Sequence, residues 1–316
     1  MKRFAVLSAV VAVGLGTALY AQGLPGPEPI EKVGENLYKI FGGGGNTTVF
    51  VGDDGVVLID TKLPNMGEGI LAEVRKITDK PVTMVINTHS HPDHLGSNPF
   101  FREANATIDI VMQANAAESA SSGPFANPQG AANITFTDRK TLGSGRNQID
   151  LYYFGPAHTN GDAFIVIPSE KALMMGDVMA WDMGPLIDPN SGGSMVETPK
   201  TVGKAVATIT GVDKVIEGHG HVNNWEGLLR YLAYTQKIVE VAQKGIDEGL
   251  NYVEAYDTYF ATDPAMAPYT GEELKKGLEY GSSPKVRSLN NIYVAMGELK
   301  GEPVPLTMGA PPPPGE

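Results

Sequence analysis

The chain has 316 residues, of which 42% are hydrophobic and 19% charged, which is typical of a globular protein large enough to bury a full core. Its formal net charge of −12 provides no basic surface for nucleic acid or for anionic membranes. It contains no cysteine, which excludes disulfides, thiolate metal ligands and a thiol nucleophile.

The first predicted element is a signal peptide over residues 1–21. "MKR" supplies positive charge, "FAVLSAVVAVGLGTAL" an apolar run, and "ALYA" a small residue for cleavage after Ala21. The apolar run is near the short end for a membrane span, so an uncleaved anchor is the less favoured alternative. Removal of this segment takes away Lys2 and Arg3 and leaves a net charge of −14. We therefore expect an acidic protein in the periplasm or outside the cell, with no stable membrane insertion after cleavage.

The next segments alternate between predicted strands and helices. After a Pro/Gly-rich lead-in over residues 22–35, "LYKIFGGGGNTTVFVGDDGVVLIDT" reads as strands broken by the turn "DDG". "GEGILAEVRKITD" has helical spacing of its apolar residues, and "KPVTMVINTH" follows as an apolar strand. "GGGG" lacks the lysine and helix of a phosphate-binding loop, so we expect a flexible loop near the site.

From about residue 105 to 150 the pattern weakens, and "SSGPFANPQGAAN" is expected to be a loop. "IDLYYFGPAHTNGDAFIVIPSEKALMMGDVMA" returns to strands, with "PSEK" as a hairpin turn. "TPKTVGKAVATITG" predicts a helix with a threonine cap and proline in the first turn, and "VDKVIEGHG" another strand.

These elements predict an α/β domain over residues 36–225 with a helical layer packed on it. From Trp225 onward the chain is amphipathic at helical spacing, which predicts a C-terminal helical extension over 226–300. The Pro-rich tail, 301–316, is expected to be extended and mobile.

One short stretch, "NTHSHPDH" at 87–94, concentrates three of the six histidines of the chain. Imidazole and carboxylate are the ligands that suit zinc and similar divalent ions when no thiolate is present. His89 and His91 are two residues apart, so their side chains project on one side of an extended chain. Asp93 and His94 follow a proline and point elsewhere, which suggests a second ion beside the first.

Two ions need more ligands than this cluster contains. His158 in "GPAHTNGD", Asp177 in "MMGDVM" and His219 in "EGHGH" all lie at predicted strand ends, where α/β proteins place their sites. Five histidines and two aspartates are enough for two metal sites that share one bridging carboxylate.

The motifs "HSHPDH", "AHTNGD", "MGD" and "GHG", preceded by Asp60 in "VLIDT", resemble those of the metallo-β-lactamase-fold hydrolase superfamily over roughly residues 36–225. The resemblance implies a four-layer αββα sandwich with a binuclear site at one sheet edge. It implies that His89, His91 and His158 hold one ion. Asp93, His94 and His219 would then hold the other, with Asp177 between the two. Asp60 would orient a histidine through its free ring nitrogen.

The chemistry expected of such a site is hydrolysis. A hydroxide held between two divalent cations is ionised near neutral pH and attacks a carbonyl, so we expect a small ester, lactone, thioester or amide as substrate. Asp93 is the expected catalytic residue, which orients the hydroxide and protonates the leaving atom. Zinc is the ion that the ligands suit best, and iron or manganese also fits.

Two other functions remain open. A β-lactamase proper resembles the chain in fold, but lactamases with a cysteine ligand have it where Asp177 stands, followed by a lysine that holds the carboxylate of the drug. "DVMAWDMG" contains neither lysine nor arginine. The second alternative is a periplasmic metal-binding or relay protein, which would bind metal tightly without turnover. The oligomeric state stays open.

Two further residues have competing interpretations. Trp181 either lines an apolar substrate pocket or belongs to the core, which is the commoner role of such a residue. His221 competes with His219 for one ligand position, and we favour His219. His221 would then lie at the rim of the pocket or cap a neighbouring segment.

Overall fold

The computed structural model describes residues 26–123, 126–274, 282–307 and 309–314. The predicted signal peptide lies outside the described residues. In the first sheet, seven strands lie side by side in chain order: β1 (Glu31–Lys32), β2 (Leu37–Ile40), β3 (Thr47–Val51), β4 (Val56–Ile59), β5 (Val82–Ile86), β6 (Asp109–Gln113) and β7 (Ile134–Phe136). In the second sheet six strands follow: β8 (Arg139–Leu142), β9 (Ile149–Tyr152), β10 (Phe164–Ile167), β11 (Ala172–Met174), β12 (Lys214–Ile216) and β13 (Val222–Asn224).

The helices divide between the two sheets. Those that follow strands of the first sheet are α1 (Gly67–Arg75), α2 (Pro92–Leu95), α3 (Asn98–Ala104) and α4 (Ala114–Ser122). Those of the second half are α5 (Thr198–Thr208), α6 (Trp225–Glu248), α7 (Tyr252–Ala255) and α8 (Pro284–Lys300). Within the described ranges no helix is both long and apolar enough to cross a bilayer.

Buried apolar residues form separate clusters on both faces of the first sheet. Neighbouring residues of one strand point to opposite faces. Thus Leu58 packs with the α1 residues Ile70 and Val74, whereas Ile59 packs towards β9 and β10 of the second sheet. A third cluster joins the outer face of the second sheet to α5, α6 and α8. Helices, two sheets and helices again make four layers, so the predicted αββα sandwich is confirmed.

The helical extension covers the second sheet through one apolar face of α6. Tyr231, Tyr234, Ile238 and Val241 are fully buried in the third cluster. Their spacing of three or four residues is the amphipathic pattern read in the sequence. The chain therefore turns helical at Trp225, as expected.

Several local predictions are confirmed and one is wrong. The "DDG" and "PSEK" segments connect the antiparallel pairs β3–β4 and β10–β11. The helix α5 does have proline in its first turn, but Thr198 does not cap it. The Thr198 hydroxyl instead donates to the Ser194 carbonyl oxygen at 2.6 Å, and Glu197 occupies the capping position without a side-chain hydrogen bond.

The described residues of the Pro-rich tail lie against the helical layer. Asn290 on α8 donates to the carbonyl oxygen of Thr307 at 2.8 Å, and the Tyr252 hydroxyl donates to that of Pro312 at 2.8 Å. That the tail is mobile in solution stays a prediction.

The sheet order brings the ends of four strands to one edge of the sandwich. β4 and β5 are parallel neighbours, as are β11 and β12. Parallel neighbours end at the same edge. Asp60 follows β4, the histidine cluster follows β5, Asp177 follows β11 and His219 follows β12. The candidate site is therefore assembled from loops at this edge.

Candidate metal centre

Three histidines form the first half of the centre: His89, His91 and His158. The ring of His89 lies 4.8 Å from that of His91 and 4.7 Å from that of His158, centre to centre. His158 Nε2 lies 2.9 Å from His91 Nδ1. One nitrogen from each ring belongs to a group whose ligand atoms lie within 4.8 Å of one another.

The outer nitrogen of each ring has a partner that assigns its proton. His91 Nε2 donates to the Asp188 carboxylate at 2.8 Å, and His158 Nδ1 donates to the Leu186 carbonyl oxygen. His89 Nδ1 lies 3.0 Å from the Thr88 hydroxyl, which itself donates to Asp60 at 2.7 Å. Each proton is on the nitrogen that points away from the other two rings. The nitrogens that point towards one another, His89 Nε2, His91 Nδ1 and His158 Nε2, therefore carry lone pairs.

Three lone pairs that face one another favour a cation between them. His89 Nε2 is buried without a hydrogen-bond partner among the described residues. Ligand atoms about 2.0–2.2 Å from a tetrahedral ion lie roughly 3.3 Å from each other. The His91–His158 donor separation of 2.9 Å is somewhat shorter than that value and the whole group lies within 4.8 Å, so the three donors can converge on a divalent ion.

Asp93, His94 and His219 form the second half. His219 Nε2 lies 3.1 Å from Asp93 Oδ2 and 3.3 Å from His94 Nε2. His94 Nε2 lies 3.5 Å from Asp93 Oδ2. These three residues make up another group that could hold a metal ion.

Asp177 lies between the two halves. Its Oδ1 is 3.1 Å from His94 Nε2, and its Oδ2 is 3.4 Å from His219 Nε2 and 3.9 Å from His158 Nε2. With His89 and His94 it forms a third potential metal-holding group. The structure thus brings together all seven residues that the sequence analysis predicted as ligands. Their role as ligands stays a prediction.

Charge differs between the two halves of the centre. Burial and the neighbouring histidines lower the pKa of His89 well below its usual value, and burial with His91 lowers the pKa of His158 to about 4. For His219, burial lowers the pKa, but Asp177 and Asp93 outweigh it and raise the pKa to about 9. The same balance raises the pKa of His94 well above its ordinary value, with Asp177 as the strongest raising charge.

Asp60 lies where the sequence placed it, behind the histidines. Its Oδ2 accepts from His94 Nδ1 at 2.8 Å, and its Oδ1 accepts from the Thr88 backbone N–H at 2.8 Å. Asp60 holds a φ of 64°, a left-handed conformation that costs energy for a residue other than glycine. The Asp60 carboxylate therefore orients His94 directly and His89 through Thr88.

Sequence reasoning missed Asp188. This fully buried carboxylate accepts from His91 and also from the Ser191 hydroxyl at 2.6 Å. Burial raises the pKa of Asp188, but the hydrogen bonds from His91 and Ser191 outweigh burial and lower this pKa to about 2. In the sequence Asp188 precedes a proline in "PLIDPN", which reads as an ordinary turn.

The "GGGG" loop does lie beside the centre, as expected. A Cβ on Gly45 would come 2.6 Å from His94 Nε2, so the backbone passes too close to the ring for any other residue. The Lys62 ammonium, which is fully buried, donates to the carbonyl oxygens of Gly45 and Ile40, each at 2.8 Å. Lys62 thus holds the loop against the centre.

The two pocket candidates lie in different settings. Trp181 is half-buried and stacks on His219, with ring centres 4.2 Å apart and an interplanar angle of 16°. Its neighbours Met179 and Met183 are buried. His221 is exposed and belongs to none of the three groups found among the described residues.

A histidine- and aspartate-lined centre at the edge of an αββα sandwich defines a class of metal-dependent hydrolases. The chain belongs to the metallo-beta-lactamase superfamily, whose family model matches residues 40–222. The predictions of this family and of a hydrolase are therefore confirmed, with the substrate unspecified.

Among similar proteins is a metallo-beta-lactamase type 2 of Elizabethkingia meningoseptica, 30% identical over 184 residues, which cover 54% of this chain and 70% of the relative. Metallo-beta-lactamase IND-1 of Chryseobacterium indologenes is 26% identical over 213 residues, covering 63% and 83%.

Solved structures show the same fold. The DIM-1 metallo-beta-lactamase matches 67% of this chain and 98% of its own, with a TM-score of 0.58 and 19% identity. A mutant of the sec-alkyl sulfatase PisA1 matches 86% of this chain and 50% of its own, with a TM-score of 0.68 and 16% identity. The second match reaches beyond the two sheets into the helical layer.

Proposed function

We propose that this chain is an exported hydrolase that holds two divalent ions, zinc by preference, and cleaves a small ester, lactone, thioester or amide. The observation that carries the proposal is the set of converging donors: three inward lone pairs in one half, two histidines and an aspartate in the other, and Asp177 between them. His89, His91 and His158 would hold one ion, and Asp93, His94 and His219 the other.

When bound, such ions lower the pKa of water and polarise a carbonyl oxygen. The chain itself supplies orientation, through Asp60 on His94 and Asp188 on His91. It also supplies a proton acceptor. The Asp93 side chain is 30% exposed, against 12% for Asp177, so Asp93 is the carboxylate that substrate reaches. His94 and His219 hold the pKa of Asp93 well below its usual value in spite of burial. A carboxylate oxygen of Asp93 would accept a proton and pass it to the leaving atom.

The test is turnover by the full chain after zinc loading, with p-nitrophenyl acetate, a lactone, a thioester, nitrocefin and p-nitrophenyl sulfate. The last two represent the activities in the names of the similar proteins. We expect turnover of a carbonyl substrate, lost in His91→Ala together with bound metal. Asp93→Asn should lower kcat by roughly 100-fold or more.

Asp54→Asn is the matched control, because Asp54 is exposed on the turn between β3 and β4. It should keep both metal and activity. Turnover of nitrocefin alone would favour the β-lactamase alternative. A folded, metal-loaded protein that turns over none of the panel would favour the metal-binding or relay protein and contradict the proposal.

Export is proposed on the sequence of residues 1–21 alone. Mass spectrometry of the protein from the periplasmic fraction should give a mature N-terminus at Gln22. An N-terminus at Met1 in a membrane fraction would support the anchor instead.

A further inference from the structure

Arg287 on α8 is a buried cation whose guanidinium has no carboxylate partner among the described residues. Its side chain is 3% exposed, and within the same part of the chain its Nε and Nη1 atoms find no hydrogen-bond acceptor. Arg102 also has an unpartnered Nε, but its Nη2 donates to the Ala131 carbonyl oxygen at 2.7 Å. Arg287 is therefore the more isolated of the two cations.

A buried guanidinium without partners lowers the stability of the folded protein, so its presence calls for a functional explanation. A buried charge is normally paired and hydrogen-bonded, because its desolvation is otherwise uncompensated. Burial lowers the pKa of Arg287 to about 10, which still leaves the guanidinium charged at neutral pH. The native protein thus keeps unused donors in a rigid fork that matches an oxyanion.

The position of Arg287 connects it to the metal centre. Asn291, one helical turn further on the same side of α8, donates to the Tyr234 hydroxyl at 2.9 Å. That hydroxyl lies against Gly184, in the loop that begins at Asp177. On the same loop, Trp181 stacks on His219. The polar side of α8 therefore faces the loop that carries Asp177.

Electrostatics agree with this placement. Tyr234, and after it the negative charge of Asp177, raise the pKa of Arg287 in opposition to burial. No ion pair joins the two residues, so they do not neutralise each other. A small group could be held with its anion on Arg287 and its reacting bond at the centre.

We propose that Arg287 is a substrate-binding residue that recognises an oxyanion, namely a carboxylate, sulfate or phosphate group carried by the molecule that the metal centre cleaves. The substrate part of this inference rests on the proposed function, whereas the anion site does not. The helical layer thereby supplies a cation that the loop "DVMAWDMG" lacks.

The first experiment measures anion binding through the melting temperature of the zinc-loaded full chain. Sodium succinate, sulfate and phosphate are each compared with chloride at equal ionic strength, for wild type, Arg287→Met and Arg287→Lys. The control is Arg230→Met, because Arg230 is half exposed and pairs with Glu226 at 3.7 Å.

We expect at least one oxyanion to raise the Tm of wild type and Arg230→Met, to raise it less in Arg287→Lys, and to leave Arg287→Met unchanged. Without oxyanion, Arg287→Met should melt no lower than wild type, since it removes an unpaired buried charge. An equal response of Arg287→Met and wild type would overturn the proposal. A large loss of Tm without oxyanion would also overturn it, because Arg287 would then be structural.

The second experiment compares a neutral ester, p-nitrophenyl butyrate, with an anionic one, mono-p-nitrophenyl glutarate. The ratio of kcat/KM for the anionic over the neutral ester should fall about 10- to 100-fold in Arg287→Met and stay constant in Arg230→Met. An unchanged ratio would contradict recognition by Arg287. If neither ester is cleaved, the thermal experiment still decides the anion site, and the wider substrate panel decides the proposed function.

Discussion

At the residue scale, the outer nitrogens of the histidines decide what the inner nitrogens can do. Asp188, Leu186 and Thr88 each engage one ring of the first half, and Asp60 engages His94. In the first half these contacts assign the tautomers and leave lone pairs turned inward, whereas the contact with Asp60 orients His94. Loss of a partner of this kind typically costs about 10- to 100-fold in metal affinity.

Asp188 provides the first test of this arrangement. Replacing Asp188 with alanine removes the acceptor of His91 Nε2, so that His91 loses both its orientation and its assigned tautomer. We expect zinc affinity to fall about 10- to 100-fold, measured by competition with a chromophoric chelator. Asp213→Ala, which changes an exposed carboxylate, is the control. Equal affinities of the Asp188 and Asp213 variants would show that His91 needs no such partner.

Asp162 provides a prediction of pH dependence. This buried carboxylate accepts from the Thr159 backbone N–H at 2.9 Å and from its hydroxyl at 2.6 Å, which shapes the loop of His158. Burial raises its pKa from 3.8 to about 7, although both hydrogen bonds lower it. Between pH 3.8 and about pH 7, Asp162 is protonated in the folded state and ionised in the unfolded state. The free energy of unfolding therefore falls as pH rises through this window, by on the order of 4 kcal/mol.

The measurement is urea unfolding of chelator-treated protein at several pH values from 4 to 8. The stability of wild type relative to Asp162→Asn should be greatest near pH 4 and decline towards pH 7, because asparagine does not titrate. Parallel pH curves for the two proteins would contradict the raised pKa.

At the element scale, strand ends and tight loops position the donors. β4 with β5, and β11 with β12, deliver four of the motifs to one edge. The glycine-rich loop between β2 and β3 closes the edge by passing directly over His94. Hydrogen bonds restrain these loops. Lys62 donates to the Gly45 carbonyl oxygen of the glycine-rich loop, and Asp188 accepts from the Ser191 hydroxyl in the loop that follows Asp177.

Gly45 tests the close approach of this loop. In Gly45→Ala the new Cβ would meet the His94 ring, which cannot retreat because Asp60 holds its other side. We expect the protein to fold but to bind about one ion less per chain, as measured by elemental analysis. The control is Gly203→Ala in α5, where a Cβ meets no atom within 4 Å; it should stabilise the helix by about 0.5–1 kcal/mol. Unchanged metal content in Gly45→Ala would show that the loop has room to move.

The elements with a clear hydrophobic period were predictable, and so were the ligands at their ends. The region from about 105 to 150 was not, although it contains β6, α4, β7 and β8. Its strands are short, and β8 alternates exposed and half-buried polar residues, so no apolar period marks it. Asp188 could not be found from sequence, because its role depends on His91, which is 97 residues away. Arg287 could not be found either, because its role depends on the lack of hydrogen-bond acceptors around it among the described residues.

At the scale of the whole molecule, the helical layer participates in the site. The Tyr231 hydroxyl on α6 donates to the carbonyl oxygen of Val178, next to Asp177, and Tyr234 lies against Gly184 of the same loop. The first half of the chain supplies four donors and the second half three. The helices α6 and α8 support the loop that begins at Asp177. The site therefore depends on the full sandwich and its extension.

The most direct test of the central claim is the metal content of the purified full chain, measured by elemental analysis after zinc loading and removal of free ions. The converging donors predict about two ions per folded chain. Essentially no bound metal in a chain whose circular dichroism shows a folded α/β protein would contradict it, because seven converging donors, five of them buried, would then face one another without an ion.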